Sequence, residues 1–95
     1  MDQPIQPTVQ HRPQASRFEL ETGGQLAVLA YHLHGGTIIF THTSVPSPLE
    51  GQGIGSRLAR AGLEYAREAA LKVVPLCPFI AAYIRRHPEY EGLTT

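Results

Sequence analysis

Val45-Pro46-Ser47-Pro48-Leu49-Glu50-Gly51-Gln52-Gly53-Ile54-Gly55-Ser56 decides how the rest of the chain is read. Pro46 and Pro48 end the strand before them, because proline cannot donate to a sheet ladder. Three glycines in five residues follow, and then an amphipathic helix from about Ile54 to Ala70. Its apolar stripe is Ile54, Leu58, Ala61, Gly62, Tyr65 and Ala69; Arg57, Arg60, Glu64, Arg67 and Glu68 fill the other face. The first amides of a helix lack intrahelical acceptors, and the helix dipole adds roughly half a positive charge there. Glycines let a bulky anion approach those amides closely. The loop therefore suits a phosphate or pyrophosphate, against the plainer reading of a turn that merely uses glycine.

Upstream, the pattern has period two. Arg17 to Glu21 alternates polar and apolar, Leu26 to Leu33 is a more fully apolar run, and Thr37 to Thr43 is rich in β-branched residues. Gly23-Gly24 and Gly35-Gly36 join the three runs, which predicts an antiparallel meander. Downstream, Leu71 to Leu76 reads as a short buried strand, and a strand-helix-strand succession favours a parallel pair with a right-handed crossover. Cys77 to Arg86 reads as a second helix, opened by Pro78 at a position where its missing N–H is harmless and closed by Pro88. The expected fold is α/β, a mixed sheet in the order βββαβα.

Residues 1–16 read as a disordered or extended tail, because Pro4, Pro7 and Pro13 interrupt any helix and no apolar periodicity is present. Residues 17–95 are then the folded domain. A domain this small buries only about 60–65% of its unfolded surface, so a bound ligand or a weak homodimer is expected to add stability to the monomer.

Composition narrows the function classes. Eight basic residues balance eight acidic ones, which argues against a nucleic-acid binder that works through counterion release. Apolar runs fall well short of the ~20 residues of a membrane span. Met1 to Gln14 carries neither a basic nor an apolar leader segment, so a cytoplasmic protein is expected. Cys77 is the single cysteine and has no disulfide partner within the chain. His11, His32, His34, His42 and His87 make no zinc-finger spacing with it, and no metal is expected. His32 and His34 share a strand face, but two ligands without a third favour solvated histidines.

Two nucleotide motifs fail on spacing. A P-loop needs Gly-Lys-Ser/Thr where Gly55-Ser56-Arg57 stands, and the dinucleotide fingerprint needs a glycine or alanine at Ser56 and an acidic residue closing the next strand. The segment instead resembles the acetyl-CoA signature of the GNAT superfamily of N-acetyltransferases, Gln/Arg-x-x-Gly-x-Gly/Ala after a strand and opening a helix. With His42-Thr43 before the loop, Leu71 to Pro75 after the helix, and Cys77-Pro78-Phe79 with Tyr83-Ile84, the chain is similar to the short, single-domain YjdJ-type subfamily. The resemblance runs from about Phe18 to Tyr90. Glu50 stands where the signature has glutamine or arginine, and Ser44 where the subfamily commonly has an acidic residue.

The resemblance implies acetyl-CoA as cofactor and an amine as acetyl acceptor. The amides of Gln52, Gly53, Ile54, Gly55 and Ser56 would hold the pyrophosphate. Val45 and its neighbours would pair with the pantetheine arm like an extra strand, where the third strand and the one at Val73 splay apart. Arg57, Arg60 and Lys72 are candidates for the ribose phosphate, or else a solvated face. Three side chains are candidates for catalysis. Cys77 at the start of the last helix, where the dipole favours thiolate, would accept the acetyl group or contact the thioester, or else is a buried structural thiol. His42 would be a general base, or would bond the backbone. Tyr83 falls near the tyrosine that protonates the departing thiolate in ordinary members. The expected function is acetyl-CoA-dependent N-acetylation; the alternative is a CoA-binding module without transfer, since the chain lacks elements that usually build an acceptor site.

Overall fold

The computed structural model describes residues 8–95. A five-stranded sheet carries the fold: β1 (Gln10–Arg12), β2 (Arg17–Thr22), β3 (Gln25–His34), β4 (Thr37–Ser44) and β5 (Lys72–Pro75), in spatial order β1-β2-β3-β4-β5. Neighbours from β1 to β4 are antiparallel, and β4–β5 is parallel. The crossover between that last pair is α1 (Ile54–Glu68), and α2 (Pro78–Arg86) follows β5. The expected mixed α/β sheet is what forms. Gly23, Gly24 and Gly35 have positive φ, as the two tight turns of the meander require.

The N-terminal expectation is corrected in part. Gln10–Arg12 is not tail but an edge strand, paired with Arg17 to Glu19 of β2. Pro13 does not disrupt this strand, because it opens the 3₁₀ turn Pro13–Ala15 that reverses the chain, and Ser16 at φ 54° completes the reversal. The strand holds through its side chains. His11 stacks on Phe18 at 4.2 Å between ring centres and meets the Tyr65 ring edge-on at 4.5 Å. The part of the expected tail in residues 1–7 lies outside the described residues.

One face of the sheet is buried. Phe18, Leu20, Ala27, Leu29, Tyr31, Ile38, Phe40 and Val73 alternate inward along their strands and meet both helices in one continuous core. The inward set of α1 is Ile54, Leu58, Ala59, Gly62, Leu63 and Ala66. Ala69 of the expected stripe is exposed beyond the helix end, and Ala59, Leu63 and Ala66 take the places the spacing did not assign. Gly62 lets α1 come close to the sheet: a Cβ there would fall 2.9 Å from both Leu29 Cδ2 and Phe40 Cε1. On the opposite face Val28, Ala30, Ile39 and Val74 are only half-buried. Among the described residues no helix is long and apolar enough to cross a membrane.

A bulge in β4 sets up the functional end of the sheet. Tyr31 faces Phe40 but Ala30 faces His42, so Thr41 is an extra residue on β4. Uninterrupted alternation from Ile38 and Phe40 would turn His42 toward the core. The bulge inverts this: Thr43 stands opposite buried Leu29, and exposed His42 opposite Ala30.

Candidate functional site

The site begins where β4 and β5 part. Their parallel register ends at Phe40 with Pro75, and a last bond runs from the Cys77 amide to the Phe40 carbonyl at 2.9 Å. There the chain turns into α2, while β4 continues to Ser44. Beyond Phe40, no strand among the described residues lies beside the edge of β4 that faced β5.

The second wall is the loop and the start of α1. Ser47–Leu49 makes one 3₁₀ turn and buries Leu49 as its anchor. Gly51 at φ 83° and Gly53 at φ 76° then hold left-handed conformations, and a Cβ on either would meet nothing within 4 Å. Gly53 is the N-cap of α1 and no side chain caps the helix. The first helical bond is from the Arg57 amide to the Gly53 carbonyl, 3.1 Å. The amides of Ile54, Gly55 and Ser56 ahead of it therefore have no helical acceptor.

Between these walls lies a cleft of about 540 Å³, lined by His42 to Val45, Leu49 to Gly51, Gly53 to Ser56, and Phe79. Five of the seven expected cofactor-contacting residues, Val45, Gly53, Ile54, Gly55 and Ser56, are thus brought together. Gln52 and Arg57 are not on the lining; the Gln52 side chain donates back to the Pro48 carbonyl at 3.2 Å and braces the loop. Glu50 is exposed on the rim.

Of the three catalytic candidates, His42 borders the cleft. Cys77 does not: it is the N-cap of α2, only 4% exposed, with Sγ 3.2 Å from Thr43 Oγ1. Thr43 lines the cleft and the thiol sits behind it. Tyr83 is not among the residues lining the cleft. It stacks on His87 at 4.0 Å between ring centres and packs near Tyr90, and burial raises its phenol above the usual tyrosine range. Tyr83 is nearly two helical turns along α2 from Cys77, and this places it against the 3₁₀ segment Pro88–Thr94 instead of the cleft.

Two lining residues escape a sequence reading. Thr43 is hidden because only the cross-strand register reveals the bulge. Phe79 has no polar group to mark it, yet it is half-buried and forms a cleft wall against α1. The proline before it marks the helix start but says nothing of the angle at which α2 meets α1.

The fit to a CoA-like ligand is a matter of open backbone. A diphosphate needs amides that nothing else occupies and glycines without Cβ atoms in the way, and the start of α1 supplies both. An extended arm needs an unpaired strand edge, and β4 supplies one beyond Phe40.

Comparison with known proteins identifies the family. The profile of the family described as GCN5-related N-acetyl-transferase matches residues 17–93. Protein NATD1 of Mus musculus is 35% identical over 83 residues, 84% of this chain and 76% of that protein. Protein NATD1 of Gallus gallus is 35% identical over 88 residues, 90% of this chain and 78% of that protein. The solution structure of a GCN5-like protein from Staphylococcus aureus superposes with a TM-score of 0.70 at 27% identity, covering 90% of this chain and 84% of the other. The shared fold and the sequence match lead to one assignment: the chain belongs to the GCN5-related N-acetyltransferase family, a family of acyltransferases.

Proposed function

We propose that the chain is an acetyl-CoA-dependent N-acetyltransferase that moves acetyl to an amine. The observation that carries this reading is the uncapped start of α1 opening onto the same cleft as the unpaired edge of β4. In this reading the amides from Gln52 to Ser56 bind the pyrophosphate, and Val45 with its neighbours hydrogen-bonds the pantetheine arm. Arg57, Arg60 and Lys72 are candidate cations for a ribose phosphate. Acetyl-CoA supplies the activated acetyl group as a thioester. His42, exposed at the cleft border, takes a proton from the incoming amine; as the C–N bond forms the thioester C–S bond breaks, and CoA leaves as a thiolate that takes its proton from solvent. Tyr83 is given no step in this reading, because its ring stacks on His87 and it is not among the cleft-lining residues.

The chain's other contribution is positioning. Holding an amine and a thioester in reacting geometry accounts for much of the barrier lowering in such transfers, and backbone amides already fixed in a sheet need no reorganisation when charge develops.

Binding and transfer are tested separately. Acetyl-CoA at about 100 times its Kd should stabilise the protein by ~2.7 kcal/mol, seen as a rise in melting temperature. Labelled acetyl should pass from acetyl-CoA to one member of a panel of primary amines. Binding without transfer to any amine would favour a CoA-binding module. Absence of any thermal shift with CoA and acetyl-CoA would remove both readings.

A further inference from the structure

We propose that Thr43 is the side chain that donates a hydrogen bond to the thioester carbonyl in the cleft, and that Cys77 is a positioning residue for Thr43 and not a carrier of the acetyl group. The inference rests on the reading of the cleft as an acetyl-CoA site and specifies which side chain meets the reacting group.

Three observations converge on Thr43. First, the β4 bulge turns it to the inner side of the sheet, against the alternation of Ile38 and Phe40, so that it lines the cleft. A bulge beside a functional site commonly serves to re-aim one side chain. Second, its hydroxyl is 3.2 Å from Cys77 Sγ. Either atom could donate in this contact; a hydroxyl has one proton and two lone pairs, so it can accept from the thiol and still keep its own proton to donate, which is the arrangement proposed. The proton of Thr43 is then directed away from Cys77. Third, Cys77 is 4% exposed and lies off the lining, so the side chain of Thr43 stands between the sulfur and anything in the cleft.

Cys77 itself is held rigidly. Its amide donates to Phe40, and its carbonyl accepts from Ala81 at 3.0 Å in the first turn of α2. The backbone at Cys77 is thus tied at both its amide and its carbonyl, and its buried thiol lies 3.2 Å from the Thr43 hydroxyl that it would orient. The hydroxyl keeps its proton throughout; the contribution is one oriented hydrogen bond and no covalent step.

The test uses the full chain with acetyl-CoA labelled with carbon-13 at the carbonyl, and reads the infrared carbonyl band of the bound thioester. In the wild-type protein and in Thr43→Ser the band should lie below its position in free acetyl-CoA. In the near-isosteric Thr43→Val it should return toward the free position. Acetyl transfer by Thr43→Val should fall roughly a hundredfold in kcat, the scale for loss of one oxyanion donor, with KM for acetyl-CoA changed much less. Thr43→Ser should recover most of it. Cys77→Ala should lose only about tenfold or less, the scale for loosening one neutral hydrogen bond. Circular-dichroism melts of each variant report folding. A band unmoved by Thr43→Val, an acetyl label trapped on Cys77, or a larger loss in Cys77→Ala than in Thr43→Val overturns the proposal. Failure of the wild-type chain to bind acetyl-CoA at all overturns the reading of the cleft instead.

Discussion

Gly55, in the first turn of α1, lies so close to the ring of Phe79 that a Cβ added to it would fall 2.9 Å from Phe79 Cζ and 3.2 Å from Cε2. This contact seats the start of α2 on the start of α1 and closes one side of the cleft. The third glycine of the loop thus answers to packing, whereas Gly51 and Gly53 answer to backbone conformation.

The contact predicts a sign reversal. Alanine at position 55 gains roughly 0.5–1 kcal/mol in helix propensity over glycine, while forcing a methyl against a ring costs typically ~1–3 kcal/mol. Gly55→Ala should therefore destabilise the wild-type protein by about 1 kcal/mol in denaturant unfolding. In a Phe79→Ala background the ring is gone, and the same substitution should become neutral or stabilising.

Gly53 offers the opposite case. Space around it is open, but its φ of 76° is left-handed. Gly53→Ala should cost roughly 1–2 kcal/mol of stability from backbone strain alone. Because this residue caps the helix whose amides are proposed to bind the pyrophosphate, the thermal shift produced by acetyl-CoA should shrink as well. Retention of the full shift would place the diphosphate elsewhere.

His11 makes the sheet edge sensitive to acid. Its Nε2 is 2.6 Å from the Tyr31 hydroxyl, and burial against Phe18, Tyr31 and Tyr65 holds its pKa below the ordinary histidine value. A histidine that resists protonation when folded contributes stability that is complete above about pH 6.5 and is lost as pH falls from there toward its lower folded value. Melting temperature should thus decline between about pH 7 and 5, and His11→Phe should flatten that part of the profile. Amide exchange should show β1 opening first. An unchanged slope in His11→Phe would assign the acid sensitivity to other groups.

Tyr90 acts at the alkaline end. Burial, and then the 2.7 Å hydrogen bond it donates to Glu64, push its phenol up to about 12. The associated stability is fully present below the unfolded tyrosine value of about 10 and is lost as pH rises from there toward the folded value. An ultraviolet titration should show late-ionising tyrosines, since burial also raises Tyr31 and Tyr83, and the Tyr90 contribution to that late phase should be lost in Tyr90→Phe. That variant should lose about 0.5–1.5 kcal/mol at neutral pH for the missing hydrogen bond.

Much of this architecture is readable from local patterns. The glycine pairs at 23–24 and 35–36 mark the meander because few other residues accept the positive φ of tight turns. Pro46, Pro48 and the amphipathic run after Gly53 locate the strand exit and the helix start within a residue. Pro78 locates the start of α2, with Cys77 before it as N-cap. Each signal is a conformational preference of one residue and its immediate neighbours.

Tertiary structure decided which way side chains point at the site. Whether Thr43 or His42 faces inward depends on how β4 registers against β3, and one extra residue in that register reverses both. Tyr83 turns toward His87 and Tyr90 because α2 docks with that face on the C-terminal segment, at an angle that Gly55 and Phe79 set between them. Gln10–Arg12 joins the sheet because His11 finds Phe18, Tyr31 and Tyr65 from three separate elements. Chain-local propensity decides where elements begin and end; register and docking angle belong to pairs of elements distant in sequence, and only their packing resolves them.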